Sequence, residues 1–151
     1  MKTKLSAPDL AQHPPRSPRV RLGGYALLPR ALDKCRAMLA GTQGEYKFNC
    51  PLDQRFFTFA GLDAEAFKKQ VAAGKSDGEM LAWMEKNSKT KPSLADIEAW
   101  SAQQDRRTPT DVEGREFFNN LHKKIAPQRE DISTWFDLLD LDDYVSFGGK
   151  A

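Results

Sequence analysis

What most constrains this chain is a succession of helix-start signals, each followed by apolar residues three and four apart and closed by a glycine or a proline. The first segment runs from Pro29 to Ala40. Leu28, Ala31, Leu32, Cys35, Met38 and Leu39 form its buried stripe, and Gly41 stops it. Pro51 opens a second segment carrying Leu52, Phe56, Phe57 and Phe59 up to Gly61. Asp63 caps a third through Ala66, Phe67 and Val71, and Ser76 with Glu79 reads as a capping box before Met80, Leu81, Trp83 and Met84. Ser93 and Asp96 open another, with Leu94, Ile97 and Trp100 inward. Asp111 opens the longest, with Val112, Phe117, Phe118, Leu121 and Ile125 inward, and Ser133 caps the last, through Trp135, Phe136, Leu138 and Leu139. All three tryptophans, 83, 100 and 135, fall on these stripes and read as core.

Alternation typical of strands is confined to the stretch from Val20 to Leu27 and to Tyr46-Lys47-Phe48. The predicted class is therefore all-α: an irregular bundle of six or seven helices of about 9–15 residues on short loops. Residues 1–151 are expected to form a single domain, since a chain of this length can bury a core without disulfide or metal staples. Pro8, Pro14, Pro15 and Pro18 exclude a helix at the N-terminus, so residues 1–16 are expected to be a flexible arm. Val20, Leu22, Tyr25 and Leu27 are too apolar to float, and residues 17–28 should pack as an extended strap.

The net charge of +2 disfavours nucleic acid as a partner, but it hides an asymmetry. Residues 1–50 carry nine Lys/Arg against three Asp/Glu, and residues 51–151 carry fourteen against eighteen. Between Glu130 and Asp143 there are six acids and no base. The two ends can attract each other across one fold, or the basic end can offer an anion-binding edge. The longest apolar run, Ala26-Leu27-Leu28-Pro29, is far too short for a membrane span, and Pro8, Asp9, Gln12 and His13 occupy the place of a signal peptide's apolar region. The expected location is cytoplasmic.

Two neighbouring stretches concentrate chemistry. On the first helix Arg30, Asp33, Lys34 and Ala37 share a face opposite the apolar stripe. That face is either solvated and laced with local ion pairs, or a cluster that recognises a carboxylate or phosphate. In the second stretch Cys50 precedes Pro51 and so occupies the N-cap of the second helix, where free N–H groups and the helix dipole favour a thiolate. Asp53 can bond back to the N-cap N–H, and its charge opposes that effect. The bland alternative makes Cys50 a small apolar residue at a turn; Cys35, on the apolar stripe, is core. The only histidines, His13 and His122, read as surface residues, and two Cys with two His at these separations match no metal motif. No cofactor-binding motif is present, and neither a metal nor a cofactor is expected.

Leu28-Pro29-Arg30, Leu32-Asp33-Lys34-Cys35-Arg36, Gly44-Glu45-Tyr46, Asn49-Cys50-Pro51-Leu52-Asp53-Gln54 and Gly61-Leu62-Asp63-Ala64-Glu65-Ala66-Phe67 resemble a small bacterial family known only as a domain of unknown function. The resemblance covers most of the chain after residue 9. It implies a soluble bacterial protein and no particular activity. Two functions stay open. One is a binding or interaction protein that receives a small anionic molecule, or a protein partner, at Arg30, Asp33, Lys34 and Arg55. The other is a small enzyme using Cys50 or Asp53 as nucleophile or acid–base group.

Overall fold

The structure is a computed structural model and describes residues 6–151. Among these residues there are seven helices: α1 (Leu28–Ala40), α2 (Pro51–Ala60), α3 (Ala64–Ala72), α4 (Asp77–Asn87), α5 (Leu94–Arg106), α6 (Val112–Ile125) and α7 (Trp135–Ser146). No strand forms among the described residues, so the fold is all-α. The alternating stretch yields one isolated bridge, Leu22 to Tyr25, and Tyr46 to Phe48 forms no strand but irregular loop entering a turn at Phe48. None of the helices is long and apolar enough to cross a membrane.

The caps are formed as local chemistry dictates. Asp63 accepts from the Ala66 N–H, Asp111 from the Gly114 N–H, and both Ser76–Glu79 and Ser93–Asp96 form reciprocal boxes. The last helix departs by one residue from expectation. Thr134, not Ser133, is its N-cap, because Asp137 at the third helical position closes the box with Thr134 while its carboxylate also receives the Ser133 N–H.

Two apolar clusters share α7. The larger takes Leu28, Leu32 and Cys35 from α1, Phe56 and Phe57 from α2, Phe67 from α3, Met80 and Met84 from α4, Ile97 from α5 and Phe136 from α7. Phe57 and Phe67 meet edge to face at 5.0 Å, and each fully buried ring of this kind contributes roughly 1.5–3 kcal/mol. The smaller cluster joins Phe118 of α6 to Leu138 and Leu141 of α7, with Ala126 and Ile132 from the loop between them.

Some expected core positions lie outside it. Leu94 is 62% exposed, Val112 76% and Phe117 62%, and Leu39 is also exposed. Leu94 and Val112 are the first residues of their helices. Phe117 is rotated by one residue, about 100°, from Phe118, so Phe118 enters the cluster with α7 while Phe117 meets α7 only at Trp135, 6.3 Å away, and stays mostly exposed. The tryptophans are half-buried at the margins of the clusters rather than inside them.

The arm expected over residues 1–16 is laid down on the bundle from Pro8 onward; residues 1–5 lie outside the described residues. Leu10 is buried, its N–H donates to the Thr42 carbonyl at 2.8 Å, and the Thr42 hydroxyl donates to the Pro8 carbonyl at 2.8 Å. Gly44 permits this approach: at φ 56 it adopts a left-handed conformation, and a Cβ there would stand 2.7 Å from the Leu10 oxygen.

Candidate functional site

The polar face of α1 is not solvated. Arg30 and Lys34 are each only 4% exposed and Ala37 is fully buried, because the arm, the loop from Gly44 to Cys50 and the end of α7 close over them. Charges this deeply placed require partners. Arg30 lies in a fork against Asp143, with contacts of 2.8 and 3.3 Å, and also donates to the Arg16 carbonyl at 3.2 Å. The Tyr46 hydroxyl donates to the same Asp143 at 2.6 Å, and the Arg30 guanidinium sits 5.5 Å from the centre of the Tyr46 ring. Burial and the neighbouring Asp143 hold the Tyr46 phenol well above its usual range. Burial and the same Asp143 also push up the carboxyl of Asp142.

One turn along α1, the Lys34 ammonium contacts Asp53 at 2.9 Å and donates to the Cys50 sulfur at 3.4 Å. Cys50 is the N-cap of α2, as its place before Pro51 implies, but its side chain makes no capping bond. Asp53 does not bond back to the Cys50 N–H. It accepts from the N–H of Asn49, the preceding residue, at 2.9 Å, where the chain turns through φ 60. The other Asp53 oxygen is buried with no partner.

Arg30, Lys34, Tyr46, Cys50, Asp142 and Asp143 face a cleft of about 640 Å³ between α1, the Gly44–Cys50 loop and α7. Leu10, Leu52, Leu139 and Phe147 supply its apolar wall, while Arg30, Lys34, Tyr46, Cys50, Asp142 and Asp143 supply its polar wall. Ala11, Gly44, Glu45, Lys47 and Ser146 complete the lining.

The family model described as Domain of unknown function (DUF5069) matches residues 12–145. The chain belongs to this family. No curated protein matches it. The matched stretch of the DUF5069 chain takes in α1 and most of the cleft wall, from Arg30 to Asp143. The family description attaches no activity to it.

In the DUF5069 chain Arg30 and Lys34 come together on the cleft, with Cys50 beside them. Asp33 points elsewhere: it receives the Arg16 guanidinium at 3.0 Å and the Arg16 N–H at 2.9 Å, which fastens the arm to α1. Arg55 bonds Gln104 at 3.3 Å and lines a separate shallow groove with Phe59 and Trp100. Asp53 stands behind Lys34, only 1% exposed. Neither histidine assists Cys50, since His13 contacts the Pro14 carbonyl and His122 the Arg129 carbonyl. Tyr46, Asp142, Asp143 and Phe147 were missed as site residues. The signal that could have found the acids is the run from Glu130 to Asp143, the counterpart of the basic first third: Arg30 pairs with Asp143, and Arg19 with Asp137 and Asp140.

Proposed function

We propose that the cleft binds a small molecule with an apolar body and a single carboxylate end. The observation that carries this reading is Lys34. An ammonium has three N–H donors. Among the described residues that of Lys34 meets only Asp53 and Cys50, and its side chain lines the cleft. One donor therefore remains for a ligand. The apolar wall formed by Leu52, Leu139 and Phe147 supports a hydrocarbon body. A phosphate dianion suits the cleft less well, because Asp53 and Asp143 already answer Lys34 and Arg30 and little positive surplus is left. A cytoplasmic setting fits two free cysteines, which reducing conditions keep as thiols.

The test is calorimetric titration with hexanoate, hexanol and inorganic phosphate as probes. Hexanoate should bind and the other two should not. Ser146→Trp, at an exposed position on the cleft, should abolish the binding while leaving the circular dichroism spectrum intact. Absence of hexanoate binding, or binding indifferent to Ser146→Trp, would refute the reading.

A second reading rests on the 3.4 Å contact between Lys34 Nζ and Cys50 Sγ. An ammonium beside a sulfur at a helix N-terminus favours attack by that sulfur on an electrophilic ligand. Turnover of an activated ester that disappears in Cys50→Ser would favour catalysis over binding alone.

A further inference from the structure

α6 is the least buried helix among the described residues. Phe118 alone is buried on it, whereas Phe117 beside it leaves 62% of its surface exposed. Its charges are largely without charged partners, although the Arg115 guanidinium lies 5.4 Å from the centre of the Phe118 ring. No ion pair among the described residues involves Glu113, Arg115, Glu116, Lys123 or Lys124. The N-terminal arginines differ: Arg16, Arg19 and Arg21 each reach a carboxylate.

The order of residues along the open side is informative. Glu113, Phe117, Leu121 and Lys124 follow at helical spacing and form one stripe, with an acid at its N-terminal end, two apolar side chains in its middle and a base at its C-terminal end. Of the two apolar side chains Phe117 is exposed, with Trp135 6.3 Å away on one side, while Leu121 is half-buried, one side against the smaller cluster and the other open. Such a stripe is complementary to itself when reversed. Glu113 of one copy then faces Lys124 of a second, and Phe117 faces the second copy's Leu121. The reverse pair occurs at the same time, as two-fold symmetry requires. A parallel arrangement would set like charges against each other and align the helix dipoles, so the charge pattern selects the antiparallel one.

We propose that α6 is a self-association surface through which two copies of this chain pair antiparallel, with Phe117 and Leu121 in the centre and Glu113 against Lys124 at both ends. The contact is small. A helix of 14 residues is about 21 Å long and by itself covers less than the roughly 800 Å² per partner of a standard stable interface. The dimer is consequently weak and concentration-dependent, with a dissociation constant on the order of 100 µM.

Sedimentation of the full chain from about 10 µM to about 1 mM tests this, since mass action alone should drive the dimer across that range. Glu113 and Lys124 are both exposed, and circular dichroism of each variant verifies that the fold is kept. Glu113→Lys and Lys124→Glu should each weaken association at least about tenfold by setting like charges face to face. Mixing the two variants should restore it, because both end pairs of the mixed dimer are again opposite in sign. Phe117→Ser should leave the chain monomeric. A wild-type chain that stays monomeric throughout overturns the proposal. A dimer unaffected by Phe117→Ser and by both charge reversals overturns it as well, since the contact would then use another face.

Discussion

Lys34 and Asp53 form an ion pair at 2.9 Å with 4% and 1% of their side chains exposed, and the pair stands between the core of the bundle and the cleft. A buried pair stabilises little compared with apolar residues of the same size, but one partner alone is costly. Lys34→Met should therefore destabilise the protein by about 3–5 kcal/mol, and Lys34→Met combined with Asp53→Leu should cost much less than the two single changes added together. Urea unfolding of the three variants checks this. A cost for Lys34→Met near that of a surface substitution would show that water reaches Asp53.

The two thiols should react very differently. Burial pushes the Cys35 thiol up to about 12, and its side chain is fully covered, whereas Cys50 is half-buried on the cleft. Iodoacetamide at neutral pH should label Cys50 alone in the folded protein and both cysteines in denaturant, as read by mass spectrometry. Cys50→Ser should cost little stability, because serine is a favoured N-cap. Equal labelling of Cys35 in the folded chain would contradict the packing of α1.

Acid should loosen the hold of the arm. The Arg16 guanidinium donates to Asp77, Arg36 adds a second bond, and together they hold the Asp77 carboxyl below its usual 3.8. A carboxyl depressed in the folded state contributes stability that is present above 3.8 and is lost as pH falls through its lower folded value. Asp142, pushed up by burial and Asp143, acts in the opposite sense and favours folding as it protonates above 3.8. The two therefore act on opposite sides of 3.8, the gain at Asp142 above it and the loss at Asp77 below it. The urea midpoint should fall less steeply with pH under 3.8 in Arg16→Ala than in the wild type.

Gly44→Ala should undock the arm. Alanine is strained at φ 56, and its Cβ would meet the Leu10 carbonyl at 2.7 Å, so a loss of about 1–3 kcal/mol is expected. Trypsin should spare Arg16, Arg19 and Arg21 in the wild type, where each is ion-paired, and cut there rapidly in the variant. Rapid cutting in the wild type would mean that the arm is not held.

The class of the fold and the bounds of most helices were determined by the sequence alone, because caps, glycine stops and three-and-four stripes act within a few residues. Asp63, Ser76, Ser93 and Asp111 each cap the helix they announce. Cys50 as an N-cap was legible for the same reason, and so was the burial of Cys35. Which faces are covered was not legible, because burial depends on what another element brings across space. Arg30 and Lys34 look like a wet helix face until α7, more than 100 residues later, supplies Asp143 and the turn at Asn49 positions Asp53. Phe117 and Phe118 are chemically the same residue in adjacent places, and only the position of α7 leaves one in the core and the other in water. The grouping of Lys34, Cys50, Tyr46 and Asp143 around one cleft is likewise a product of the tertiary structure: the nearest two of them in sequence are four residues apart, but the cleft closes only when helices from both ends of the chain meet.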